Sequence, residues 1–261
     1  MRRLEGRRGN CPGNRPGMGK TRKFFTADLH IHSCLSPCAE LDMTPKRIIQ
    51  RALDAELDII AIADHNSCEN LDAAVGLAGK MGIALLPAME IASAEEVHVL
   101  ALFDTLQAAL GMQERVYAGL PGMENDPVFW GEQVVVNGED EVLGFNSRLL
   151  AGATDMPLNR LVDAIHGFGG LAIASHVDRE SFSVISQLGF IPAGVRFDAL
   201  EVSGPVPPYV EEAGLAAVRS SDAHRLEDIG GKKTRFLLDG ANLRELASAL
   251  RAEGGRKAVI D

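Results

Sequence analysis

Short apolar runs rich in β-branched residues alternate along the chain with segments whose apolar positions recur every three or four residues. KFFTADLHIH predicts a strand over 23–32, and Thr44-Pro45 then marks a helix start, an N-cap followed by proline at the first helical position. Ile48, Ile49, Ala52 and Leu53 follow at helical spacing. DIIAIADH (58–65) predicts a second strand, with a helix after it over about 70–81. IALLPAME (83–90), EVHVLALF (96–103), GLAIASH (170–176), DALEVSG (198–204), LAAVRSSDAH (215–224) and TRFLL (234–238) predict further strands. NLRELASALRAEG (242–254) closes the chain as a helix capped by Asn242.

This alternation, with near-continuous apolar strands, predicts an α/β fold with a parallel sheet. About seven or eight β–α units suit one closed or distorted barrel better than two small domains. The expected organisation is a leader at 1–22 and a single barrel domain over 23–261. Residues 105–157 interrupt the pattern, and QVVVNGEDEVLGF, with Asn137-Gly138 near its centre, predicts a hairpin inserted near the active-site face.

Charge divides the chain. Residues 1–23 hold eight Lys or Arg against one Glu, so the rest of the chain carries −17 within a total of −10. An acidic body argues against a broad nucleic-acid-coating surface. It is compatible with a small anionic substrate, because bound divalent metals reverse the local field. GMGKT in the leader lacks the glycine and the preceding strand that a phosphate-binding P-loop needs. With no run of about 18 apolar residues and no signal-peptide stretch, no membrane association is expected and the cytoplasm is the expected location. There Cys11, Cys34, Cys38 and Cys68 stay reduced.

Histidine placement carries the chemistry. Six of the seven histidines fall on or just beyond predicted strands: His30, His32, His65, His98, His176 and His224. Asp64, Glu90 and Asp222 lie among them. Strand C-termini of a parallel barrel open on one face, so these residues are expected to converge in one pocket. His30-x-His32 places two imidazoles on the same side of a strand, and Asp222-x-His224 repeats the spacing with one oxygen and one nitrogen donor. His166 lies on a predicted helix and reads as structural.

In order, ADLHIHS, IADHNS, ALLPAMEI, EVHVLALF, AIASHVDR and SSDAH resemble the motifs of the polymerase and histidinol phosphatase (PHP) family, over about residues 24–240. The resemblance implies a distorted (β/α)7 TIM-like barrel that hydrolyses phosphate esters with two or three divalent ions: zinc, manganese or iron. It implies that His30, His32, Glu90 and Asp222 hold the first ion, and His65 and His224 the second. Glu90, His98 and His176 hold the third, with Glu90 bridging. The catalytic set is then His30, His32, His65, Glu90, Asp222 and His224. Asp64 either touches metal or orients a neighbour. Where many relatives place a further His or Asp, this chain has Pro37 and Cys38. Cys38 either binds as thiolate, favouring a softer metal, or packs inertly.

The implied reaction is in-line attack on phosphorus by a metal-activated hydroxide. Arg179 is the candidate phosphate clamp, against a surface salt bridge. Asn66, Ser203 and Arg225 are further candidate substrate contacts. Phe129 and Trp130 either stack on a base or pack inward. A small phosphomonoester, nucleotide or nucleoside bisphosphate ranks first as substrate. A 5′–3′ exonuclease acting on short single strands is the alternative, and a metal-binding regulatory module without turnover is the alternative of another class.

Overall fold

Alternate residues of the strand runs are buried against two different layers, which fixes the architecture of the computed structural model. It describes residues 22–260. The leader up to residue 21, with Cys11 and GMGKT, and Asp261 lie outside the described residues. The first half runs β1 (Lys23–Ile31), α1 (Pro45–Asp54), β2 (Ile59–Ile62), α2 (Leu71–Met81), β3 (Ala84–Ala92) and β4 (His98–Leu102). Then come α3 (Leu106–Gly119), β5 (Val134–Val136), β6 (Val142–Phe145), α4 (Leu158–Gly167) and β7 (Leu171–Ala174). The chain ends with α5 (Val184–Leu188), β8 (Ala199–Glu201), α6 (Pro208–Glu212), β9 (Ala216–Val218), β10 (Thr234–Leu238), α7 (Leu243–Leu250) and β11 (Lys257–Val259).

Nine strands form one sheet in the order β11-β10-β1-β2-β3-β4-β7-β8-β9. Beyond β9 the chain returns to β1: Ala223 bridges Ile31, and its carbonyl takes the His32 N–H at 2.9 Å. The sheet is thereby a nearly closed barrel. Inside it pack Ala27, Leu29, Ile59, Ala61, Leu86, Ala88, Leu100 and Ile173, joined by Leu243 and Leu246 of α7. Outside, Ile60, Ile62, Met89, Ile91, Val99 and Ala101 meet the helices through Ile48, Ile49, Leu71 and Leu161. Helix α1 starts as its sequence predicts, with the Thr44 hydroxyl accepting from Arg47 N and Pro45 next.

Two local departures from regularity position the site. In β1, Asp28 pairs with Ile60 and Ile31 with Ile62, so three steps along one strand match two along the other. This is a bulge. Before it, Ala27 and Leu29 face the barrel interior; after it, Ile31 belongs to the outer layer. Without the extra residue, strict alternation would send His30 and His32 outward toward the helices.

The second departure corrects the expectation of a parallel sheet. Strand β4 runs antiparallel to both β3 and β7, and β1 antiparallel to β10. The link between β3 and β4 is too short for a crossover, so the two form a hairpin. It is closed by Ser93 N to Val97 O at 2.9 Å, with Glu96 in the left-handed region. Reversal puts His98, the first residue of β4, at the end of the barrel where the neighbouring parallel strands finish.

The interruption at 105–157 contains α3 and the β5–β6 hairpin. Asn137 organises the hairpin loop by accepting from Glu139 N and Glu141 N, while Asp140 takes the left-handed conformation. Val134 N bonds to Cys34 O at 2.9 Å, which seats the hairpin beside the loop that follows β1. No helix among the described residues is long and apolar enough to cross a membrane.

Candidate metal centre

The strand ends bring the expected donors together. His30, His32 and Asp222 present donor atoms within 4.8 Å of one another; so do His65, Glu90 and His98, and so do His32, Cys38, His65 and His224. His176 joins through Nε2, 3.3 Å from Glu90 Oε1. Glu90 lies at the centre, with His30, His32, His65, His98 and His176 nitrogens all 3.2–3.5 Å from its carboxylate. His65 and Glu90 also form an isolated parallel bridge between strand ends.

Two of these residues, His176 and Asp222, have positive φ. Outside glycine that conformation is uncommon and costs energy that the surrounding structure must offset. Asp28 supplies part of the support at Asp222: its carboxylate accepts Ser221 N and Gly230 N, each at 2.9 Å, anchoring the loop on both sides. Its burial pushes the Asp28 carboxyl up to about 6.

Electrostatics sort the histidines. Burial opposes charge on His30, but the carboxylates of Glu201, Glu90 and Asp222 outweigh it and raise its pKa well above the usual value. Burial, together with neighbouring His32, holds His65 well below its usual value and His224 at about 4, leaving both neutral with free lone pairs. Burial would raise Glu90, yet His98 and His30 keep it ionised, far below the usual carboxylate range.

The donors fit divalent cations. Glu90 Oε1, His98 Nδ1 and His176 Nδ1 are buried and make no hydrogen bond among the described residues: the imidazole nitrogens 3.2–3.4 Å from Glu90 Oε1 crowd it without hydrogen-bonding geometry. A buried polar group left so costs about 1–3 kcal/mol. Hard carboxylate oxygens mixed with imidazoles suit zinc, manganese or iron.

Around the donors lies a ring of orienting groups. Asp64 belongs to none of the three donor groups. It is buried and accepts from Ser33 N and Ser33 Oγ at 2.6 Å and from Ser36 Oγ at 2.7 Å. Ser36 Oγ in turn lies 2.9 Å from His32 Nδ1. Glu201, which the sequence reading passed over as part of a strand, bonds His30 Nδ1 and His176 N. Its signal was a carboxylate in the apolar run DALEV, sharing a strand face with Ala199.

The substrate candidates divide. Arg179 stands at the rim, its Nη1 on Asp222 Oδ2 and its Nε 3.2 Å from Ser203 Oγ. Asn66 is buried, and both its amide hydrogens go to the carbonyls of Leu150 and Gly152, so it pins the 105–157 segment instead of facing the pocket. Arg225 is a surface residue paired with Glu40 at 3.1 Å. His166 pairs with Asp198 at 2.8 Å. Cys34 and Cys68 are buried, and burial pushes the Cys34 thiol up to about 12. Phe129 is 74% and Trp130 45% exposed.

Comparison with solved structures places the fold. The chain matches endonuclease Q from Pyrococcus furiosus with a TM-score of 0.69 at 17% identity, over 90% of this chain and 58% of that one. It matches an endonuclease Q complex with a 27-mer duplex carrying an abasic lesion at the active site with a TM-score of 0.68 at 18% identity and the same coverage. This chain thus spans somewhat over half the length of those proteins. A two-domain Bacteroides vulgatus protein containing a PHP-like metal-dependent phosphoesterase matches with a TM-score of 0.56 at 16% identity, over 98% of this chain and 70% of that one. No curated protein sequence matches. The family model of the PHP-associated region matches residues 208–253. The PHP domain model itself matches residues 28–166, more than half of the sequence and most of the donor set, and the chain belongs to the PHP domain family.

Proposed function

We propose that this chain hydrolyses a small phosphomonoester or a nucleotide mono- or bisphosphate at the barrel mouth. The observation that carries this reading is the convergence of His30, His32, His65, Glu90, His98, His176, Asp222 and His224, from six strand ends, around one buried carboxylate. We assign His30, His32, Glu90 and Asp222 to one ion; His65 and His224, with Cys38, to a second; and Glu90, His98 and His176 to a third. Bound divalent ions supply Lewis acidity, lower the pKa of water and stabilise charge on the phosphoryl oxygens.

The chain's own residues do the rest. Glu201 and Ser36 hold the rings of His30 and His32 so that their Nε2 atoms face Asp222 and Glu90. Neutral His65 and His224 offer lone pairs at the outer edge. Arg179 uses two of its five N–H donors on Asp222 and Ser203, which leaves the others for a phosphate oxygen.

A second reading is cleavage of phosphodiester bonds in nucleic acid. It is favoured by Phe129 and Trp130, whose rings stand exposed near the β1 loop: Gly131, the next residue, lies against the Pro37 carbonyl, so closely that a Cβ there would be 2.1 Å from it.

The experiment is a panel of p-nitrophenyl phosphate, mononucleotides, adenosine 3′,5′-bisphosphate and short oligonucleotides, each with Mn2+, Zn2+ and Fe2+. His30→Ala and Asp222→Asn should each abolish most turnover with the far-UV spectrum preserved. Stoichiometric metal without hydrolysis of anything in the panel would replace the enzyme by a metal-binding regulatory module.

A further inference from the structure

Beside Ser203 lies a second cavity, of about 430 Å³, lined chiefly by Ser203, Gly204, Arg219, Lys232 and Lys233. Three cations meet there, and no acidic side chain lines it, in a body whose net charge is −17 outside the first 23 residues. Topology sets the cavity at the catalytic end. Ser203 follows β8, Arg219 follows β9, and the two lysines precede β10, which runs antiparallel to β1. All three segments therefore lie where β1 delivers His30 and His32.

The walls are fixed. Asp178 accepts Ser203 N and Gly204 N at 2.7–3.0 Å, and the Gly204 carbonyl takes Arg219 Nη2 at 2.8 Å. On the lysine side, Gly230 N is held by Asp28, the same carboxylate that anchors the Asp222 loop. The cavity adjoins the metal centre through one side chain: Arg179, with Nε on Ser203 and Nη1 on Asp222.

We propose that this cavity is an anion subsite for a second, non-reacting phosphate of the substrate, one position away from the phosphate that reacts. This rests on the phosphoesterase reading and narrows it to substrates carrying two phosphates. Those are a nucleoside bisphosphate or a strand whose next phosphodiester enters the cavity. Lysine and arginine around a fixed backbone suit a phosphate, and phosphate contacts position a ligand without reading its base.

The test compares kcat/KM for adenosine 3′,5′-bisphosphate and the dinucleotide pdApdA with that for p-nitrophenyl phosphate, using metal-loaded full-length protein. The second phosphate should raise kcat/KM at least about tenfold. Lys232→Ala/Lys233→Ala should erase most of that advantage, and Lys232→Arg/Lys233→Arg should restore it. Whichever of the two substrates shows the advantage identifies its source. A ratio unmoved by the alanine pair overturns the proposal. Fluorescence anisotropy with labelled pdApdA reads binding without turnover. The alanine pair should weaken binding about tenfold and lower its salt dependence by about one unit of log–log slope per lost contact. Were the wild type to hydrolyse nothing, the enzyme reading would fall, while unchanged anisotropy in the alanine pair would independently sink the subsite.

Discussion

Oε2 of Glu201 lies 3.0 Å from Nδ1 of His30, and the same oxygen receives the backbone N–H of His176 at 3.0 Å. An ionised carboxylate only accepts, so His30 Nδ1 donates to Glu201, which leaves Nε2, facing Glu90 and Asp222, as the atom that would give up its proton to bind an ion. Glu201 is thus a positioning residue for two donors at once. Glu201→Gln keeps the shape but removes the charge that makes His30 a strong base. Loss of such a partner lowers metal affinity by about 10- to 100-fold. Competition against a chelator of known affinity measures this, with circular dichroism as the folding control. Wild-type affinity in the variant would remove Glu201 from the site.

How much of this was legible in the sequence follows from what each residue type signals. The convergence of the histidines with Asp222 was legible because His and Asp at spacing two, after apolar runs, point to few other things. The bulge that turns His30 and His32 inward was not, because no glycine or proline marks Asp28–Ile31; the extra residue shows only against the partner strand β2. The reversal of β4 was readable in principle, since the β3–β4 link leaves no room for a crossover. Treating every apolar run as parallel hid it, and a parallel β4 would have set His98, at its start, at the opposite end of the barrel from the other histidines. Asn66 misled because a polar residue after a strand end looks the same in sequence whether it faces a substrate or two backbone carbonyls. Glu201 was missed for the converse reason: one carboxylate in an apolar strand is visible, but its partners, 171 and 25 residues away, are not.

Cys38 tests the metal identity. Its thiol falls within 4.8 Å of the His32, His65 and His224 donor atoms. A thiolate favours zinc or iron over manganese, whereas a carboxylate is a hard donor. Cys38→Asp should therefore shift the bound metal toward manganese, and Cys38→Ala should leave the second ion more weakly held. Elemental analysis after growth in medium with equimolar Zn2+, Mn2+ and Fe2+ reads the change. Identical metal content in all three proteins would make Cys38 an inert rim residue.

Phe129 and Trp130 pack edge to face with centroids 4.8 Å apart, while much of both rings stays open to solvent. An exposed aromatic contributes about 1–3 kcal/mol per stacked base when a strand lies across it. Under the nucleic-acid reading, Phe129→Ala/Trp130→Ala should raise KM for an oligonucleotide at least about fivefold more than KM for p-nitrophenyl phosphate. The melting temperature should move little, because little apolar area is lost from the interior. Equal changes in the two KM values would remove the support these rings give to a strand-shaped substrate.

Far from the metal centre, Arg256 forks onto Glu245 through Nε–Oε2 at 2.6 Å and Nη2–Oε1 at 2.8 Å, and reaches Asp239 Oδ2 at 2.6 Å. The clamp ties the start of β11 to α7 and to the turn after β10, and α7 joins the apolar cluster inside the barrel. The hydrogen bond from Arg256 lowers the Glu245 carboxyl from its usual 4.5 to about 2. A carboxyl depressed on folding stabilises fully above its unfolded pKa and loses that contribution as pH falls through the folded value. Because the pair lies at the surface, where water screens the charges, the contribution is far smaller than the shift alone would give. Arg256→Ala should lower the unfolding free energy slightly at neutral pH. The gap from wild type should then narrow between about pH 5 and pH 3 as Glu245 takes up its proton in both unfolded chains and in the unclamped variant. Urea titrations of the two proteins across that range measure it. A gap that stayed constant or widened on acidification would mean that Arg256 stabilises by packing its stem and not through its charge.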